Sequence, residues 1–328
     1  MSTEQLLVLP RPGAVPTTPP TSISAPTESS FVSVFGNLLP KAQYLTLPSG
    51  TFAYYSIPSA DNSPSNSRIL LLHGVQTPAI GLVPLANALR ASLPDAHFVL
   101  LDWWGHGLSS TPVQAHEPSL FISQVESLLS HLSWSSAHVV AFSFGCSAAI
   151  SFAARSPKRV QSLSLVAPAG LMRSTSWGKE ANDILHGGRG EDATRDWVLD
   201  FLEGGKLIVP GDWQERVAKG EVVAEKVREW QMVEHRGHEG SVVAIFRDDG
   251  VSDSHHVFRE VARQGTKTVV VLGGEDEVCT KQDVEDVGFE NVKVIDDVGH
   301  GVVRQKAREV AAFIVDFWKS IGFEVECE

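Results

Sequence analysis

The chain has 328 residues, 43% of them hydrophobic and 20% charged, which is enough to bury a sizeable core and too apolar on average for a disordered chain. A formal net charge of −12, with no basic run of five residues, disfavours nucleic acid and anionic membrane as partners. No apolar run approaches the roughly 18 residues needed to cross a bilayer. Three cysteines (Cys146, Cys279 and Cys327) do not make a disulfide framework, and no basic-then-apolar leader opens the chain, so a cytoplasmic, reducing setting is expected.

Residues 1–40 read as a flexible N-terminal tail. Pro10, Pro12, Pro16, Pro19, Pro20 and Pro26 punctuate a segment rich in Ser and Thr, which buries too little apolar surface to offset its ordering entropy. The competing reading is a strap in which Leu6 to Leu9 pack on the domain surface. A strand is predicted over Thr51–Ile57, a polar turn over Asn62–Asn66, and a strand covered on both faces over Arg68–Leu72. Helical spacing follows at Leu82–Leu93, then a strand at His97–Leu101 and an amphipathic helix at Leu120–Leu132. A strand at His138–Phe142, a small-residue helix at Ser147–Ala154 and a strand at Val160–Val166 complete this half. Strand–helix alternation of this kind implies a parallel sheet with right-handed crossovers.

The pattern changes between residues 172 and 257, where only helical signals occur, at Glu191–Leu202, Asp212–Val217, Val222–Val233 and Ser241–Phe246. Strands resume at Thr266–Leu272 and Asn291–Ile295, and a helix at Lys306–Phe317 closes the chain. The expected architecture is an α/β core of residues 41–171 and 258–328, a mostly parallel central sheet flanked by helices, with an inserted all-helical cap of residues 172–257.

The strand at 138–142 runs straight into Ser143 and then a helix. Ala141 and Gly145, two residues to either side of Ser143, are small enough for strand and helix to approach at a sharp turn. Such a turn strains the backbone of its apical residue and exposes its hydroxyl above the sheet; taken alone, Ser143 reads equally well as a helix N-cap. A serine nucleophile needs a base, and that base an orienting acid. His300 follows the last predicted strand and Asp276 follows the one before it. Both lie at carboxyl ends of parallel strands, the edge where open α/β sheets bind ligands. Glu275 and Glu277 flank Asp276 as alternative acids.

With Ser143, Asp276 and His300 in that order, the chain resembles the α/β-hydrolase fold superfamily from about residue 41 to its end. His73-Gly74 resembles the family's H-G oxyanion motif, and Asp102 to Ser109 resembles its D-x-x-G-x-G-x-S loop. The resemblance implies an oxyanion hole made by the backbone N–H groups of Val75 and Phe144, and a catalytic triad of Ser143, His300 and Asp276 that needs no metal or organic cofactor. Serine at the apex resembles the ester-hydrolase branch; haloalkane dehalogenases and epoxide hydrolases of this fold carry Asp there.

The implied function is hydrolysis of an ester or lactone of a fairly apolar small molecule. Carbon–carbon bond hydrolysis of β-diketone type and acyl transfer use the same constellation, and a small-molecule receptor with little turnover is a further alternative. Gly301, directly after His300, differs from the Trp that many aromatic-degradation members carry. Gln76, Trp103, Trp177, Trp197 and Trp230 are candidate substrate contacts. His73 and His106 read as structural, Cys146 as buried packing, and His235, His238, His255 and His256 lack the partners of a metal site. The sequence leaves a homodimer open.

Overall fold

The computed structural model describes residues 7–15, 20–60, 65, 67–248 and 250–323. Most of the polar turn expected at 62–66, and Cys327, lie outside them. One eight-stranded sheet organises the chain. Its strands are β1 (Gln43–Leu47), β2 (Gly50–Ile57), β3 (Arg68–Leu72), β4 (His97–Leu101), β5 (Ala137–Phe142), β6 (Val160–Val166), β7 (Thr268–Gly273) and β8 (Val292–Ile295). Across the sheet they run β8-β7-β6-β5-β3-β4-β2-β1. The first two strands are antiparallel additions and the rest are parallel. The chain steps over β3 on its way from β4 to β5, so the carboxyl ends of β3 and β5 flank a topological switch point.

The continuous apolar runs are explained by cover on both faces. In β3, Leu70 and Leu72 enter one core cluster while Ile69 and Leu71 enter the other; Val99 and Leu101 alternate with Phe98 and Leu100 in β4 in the same way. On one face lie α2 (Val83–Ser92) and, beyond the short α11 (Lys281–Glu285), the last two helices, α12 (Val302–Gln305) and α13 (Ala307–Ser320). On the other lie α3 (Pro118–His131), α4 (Phe144–Arg155) and α10 (His255–Arg263). This is the mostly parallel, helix-flanked sheet that the sequence predicts. Strand β1 escapes the sequence reading because it is an edge strand with every side chain at least partly exposed, leaving little apolar signal.

Between β6 and β7 the chain leaves the sheet and returns through adjacent backbone: Met172 pairs with Ser252, and the Gly170 N–H donates to Val251 O at 2.9 Å. The insertion between these points is helical: α5 (Gly178–Leu185), α6 (Glu191–Glu203), α7 (Trp213–Ala218), α8 (Ala224–Glu234) and α9 (His238–Arg247). The sequence reading misses α5, which is short and bracketed by glycines. Helix α10 starts within the expected cap range, yet Phe258 and Val261 pack into the core beside α4.

In its described residues, 7–15 and 20–40, the segment expected to be a flexible tail over residues 1–40 instead packs on the domain. Leu9 is buried, and helix α1 (Glu28–Phe35) seats Phe31 and Phe35 edge-on against Trp230 of α8, with ring centroids 5.3 and 5.9 Å away. Ser22–Ile23 pairs antiparallel with Thr111–Pro112. The prolines suppress local structure, but a few apolar side chains and free backbone carbonyls suffice to bind the segment to a surface already formed. Among the described residues, no helix is long and apolar enough to cross a membrane.

Candidate active site

Ser143 caps the junction of β5 and α4 with φ 52° and ψ −121°, a conformation that residues carrying a Cβ rarely adopt. The turn is held on both sides. Ser143 N–H donates to Val166 O at 3.1 Å, and Ser143 O accepts from Cys146 N at 2.9 Å and Ala169 N at 3.1 Å. A Cβ on Gly145 would collide with the carbonyl oxygens of Leu72 and His73, so only glycine lets α4 start this close to β3.

Asp276 lies three residues beyond β7 and His300 five beyond β8. A Cβ on Gly273 would strike the carbonyls of Val298 and Gly299, so this glycine lets the two loops meet. His300 Nδ1 stands 3.1 Å from both Asp276 carboxylate oxygens, and its Nε2 is 2.9 Å from Ser143 Oγ. A carboxylate has no proton to give, so Nδ1 carries the hydrogen and Nε2 is left to accept from the serine hydroxyl. Asp276 Oδ1 also accepts from Val278 N at 2.8 Å. The Asp276 side chain is fully buried, whereas Glu275 and Glu277 are exposed; of the three acids only Asp276 faces inward. His300 is about one-third exposed and rests on the Phe142 ring, 5.3 Å between centroids.

Among the described residues, no acceptor engages the N–H of Val75 or of Phe144. Phe144 is the first residue of α4, where an amide has no intrahelical partner. For Val75 the reason lies in His73. Its Nδ1–H donates to Gly74 O at 2.6 Å, holding that carbonyl so that the N–H of the same peptide faces the opposite way. His73 Nε2 accepts from Trp103 N at 2.9 Å, and burial pushes its pKa down to about 3, so the ring is a neutral strut. His106 is equally buried and neutral, donating from Nδ1 to Trp104 O at 2.9 Å.

The candidate substrate contacts separate. Trp103 is completely buried and its indole N–H donates to His73 O at 2.8 Å; it is a core residue and not a pocket wall, which corrects the expectation. Trp230 faces α1 and belongs to the sheet face opposite Phe144, a second correction. Sequence alone gives no direction to the side chain of a loop residue such as Trp103 or of a helical one such as Trp230, hence both errors. Trp177 and Trp197 do stand together, 5.4 Å apart, with Phe201 stacked on Trp197 and touching Phe246. Gln76 follows Val75, but its amide is turned to Glu203 of α6, 2.8 Å away. Cys146 is buried with its thiol against the carbonyls of Ala141 and Val166, and its pKa lies well above the usual value. His235 and His238 of the cap reach the 102–109 loop, bonding Ser109 O at 2.8 Å and Gly105 O at 2.9 Å. No group of three or more metal-ligating side chains converges among the described residues.

A family model described as alpha/beta hydrolase fold matches residues 68–187. The sheet order, the Ser143 turn and the helical insertion before β7 agree with it. The chain has the α/β-hydrolase fold. Similar structures include an enol-lactonase from Burkholderia xenovorans, 17% identical with a TM-score of 0.62, over 84% of this chain and 100% of that one. A hydrolase from Pseudomonas aeruginosa is 20% identical with a TM-score of 0.63, over 84% and 98%. The naproxen esterase of Bacillus subtilis is 14% identical with a TM-score of 0.57, over 88% and 96%. At these identities the likeness to α/β-hydrolases is one of fold. No curated protein matches the chain in sequence.

Glu203 and Gln231 bond to the loop after β3 and Arg228 pairs with Glu203; all three come from the insertion and are absent from the sequence reading. Polar residues on amphipathic helices read as solvated, and nothing local marks these three as facing inward.

Proposed function

We propose that the protein is a serine hydrolase that cleaves an ester or lactone bond of a fairly apolar small molecule through an acyl-enzyme. One observation carries the reading: the unbroken hydrogen-bonded chain from Ser143 Oγ through His300 to the buried carboxylate of Asp276. Ser143 Oγ attacks the carbonyl carbon while His300 Nε2 takes its proton. Asp276 keeps Nδ1 protonated and stabilises the imidazolium that forms. The negative oxygen of the tetrahedral intermediate lies against the free N–H groups of Val75 and Phe144, the second at the positive end of α4; each such donor lowers the barrier by roughly 3–4 kcal/mol. His300 then protonates the leaving alcohol, and a water deprotonated by the same ring releases the acid. The partly exposed aromatic cluster of Trp177, Trp197 and Phe201 supports an apolar acyl or ring group in the substrate.

The test is covalent labelling with a fluorophosphonate, which loses fluoride as phosphorus bonds to an activated serine. Labelling of the wild type that vanishes in both Ser143→Ala and His300→Ala is the expected result. A folded wild type that neither labels nor hydrolyses short esters would sink the reading.

A further inference from the structure

Val75 is fixed from behind by the His73 grip on Gly74, and from in front by whatever holds Gln76. Gln76 has φ 67°, which a side chain bearing a Cβ seldom adopts unless its surroundings impose it. Its N–H faces His106 Nε2 at 3.4 Å, within the core. Its other two polar groups are held by the cap. The carbonyl accepts from Gln231 Nε2 of α8, and the side-chain amide donates to Glu203 of α6, which is itself paired with Arg228 of α8 at 2.9 Å. Gln231 is fully buried, and its Oε1 accepts from Gly107 N at 2.8 Å. One cap side chain therefore ties together two core loops: the one after β3, which carries Val75, and the one after β4.

We propose that Gln231 is a positioning residue for the oxyanion loop, so that seating of the cap and completion of the oxyanion hole are one event. The proposal rests on the reading of Ser143 as nucleophile. When α8 is seated, Gln231 and Glu203 hold Gln76 at its positive φ, and the Val75 N–H stays aimed. When α8 lifts, Gln76 loses both cap restraints, keeping only the His106 contact and the turn closed by Thr77 N–H on Val75 O at 2.9 Å; it relaxes toward negative φ, and the loop turns with it. Ser143, His300 and Asp276 all belong to the core and are untouched by this change. An open cap thus admits substrate to a nucleophile that lacks one oxyanion donor, and turnover waits for closure.

Gln231→Glu keeps the acceptor for Gly107 and removes the N–H that holds Gln76; Gln231→Met removes both bonds at similar volume. With a short para-nitrophenyl ester, kcat is expected to fall roughly ten- to a hundredfold in each, short of the loss on deleting a donor outright, while KM changes little. Affinity for a trifluoromethyl ketone, which bonds to Ser143 and places its oxyanion in the hole, should fall by the same factor as kcat/KM. The decisive variant is Gln76→Gly, since glycine adopts φ 67° unaided; placed on Gln231→Glu it should restore much of kcat. Glu203→Ala, at the less buried end of the clamp, gives a smaller loss of the same kind if the Gln231 variants fold poorly. Wild-type kcat in folded Gln231 variants, or a loss that Gln76→Gly leaves unchanged, overturns the proposal and leaves the hydrolase reading standing. A wild type inert to esters and fluorophosphonate overturns both.

Discussion

Ser143 is useful because its neighbours leave it no other conformation. Gly145 is the tightest of them, since its missing Cβ is the space occupied by the Leu72 and His73 carbonyls. Gly145→Ala is therefore expected to push α4 off β3, lowering stability by about 1–3 kcal/mol and removing fluorophosphonate labelling; a variant that unfolds and labels like wild type would refute this account of the turn. Much of the site was legible at this level. Ser143, Asp276 and His300 carry local signatures of a small-flanked turn and of strand ends, and such signatures are short-range. The substrate contacts were not: Trp103 and Trp230 are aromatic in a plausible place, but whether a ring faces the site or the core depends on packing that no local pattern encodes.

Among the elements, the N-terminal segment departs most from its composition. Arg247 of α9, almost fully buried, grips Asp248 with two hydrogen bonds of 2.7 and 3.1 Å, and donates to the carbonyls of Leu9 at 3.1 Å and Pro10 at 2.9 Å. Arg11 adds a 2.8 Å ion pair to Glu191 of α6. Arg247→Ala leaves the buried Asp248 carboxylate without its cation, which costs about 3–5 kcal/mol, and frees the strap. Urea unfolding should register the loss and limited proteolysis should cut within residues 7–15; a strap that stays protected would show that Leu9 packing alone holds it. The central strands, by contrast, are recovered nearly residue by residue, because a strand covered on both faces must be apolar throughout. Edge strand β1 and the short helices α1 and α5 have one weak apolar face each, and tertiary contacts supply the rest of their stability.

Buried histidines are spread through the interior, and together they set how the fold responds to acid. Burial pushes His73 and His238 down to about 3 and His116, His138 and His235 to about 4. The unfolded chain takes up a proton on each near pH 6.5, while the folded chain refuses it until the lower value. Between those values the unfolded state binds more protons, so stability falls as the pH falls. Asp102, raised by burial from 3.8 to about 6, and Glu239, also raised by burial, act in the opposite direction, but they are two groups against eight histidines lowered by burial, His97, His106 and His255 included. The urea midpoint is expected to be clearly lower at about pH 5 than at about pH 7.5; an equal or higher midpoint under acid would show that these rings are not held neutral.

Ser143 and His300 are 157 residues apart, and Gln231 and Gln76 are 155 apart. The first pair could be placed together from the sequence and the second could not. A parallel sheet puts the carboxyl ends of its strands on one edge, so a residue just past any strand is already located relative to every other such residue. The meeting of Ser143, His300 and Asp276 follows from that rule. A cap helix has no shared edge and no register with the sheet. Which of its polar side chains turn inward, and which core loop they grip, is decided only when the apolar faces of α8 and α9 settle onto a finished core.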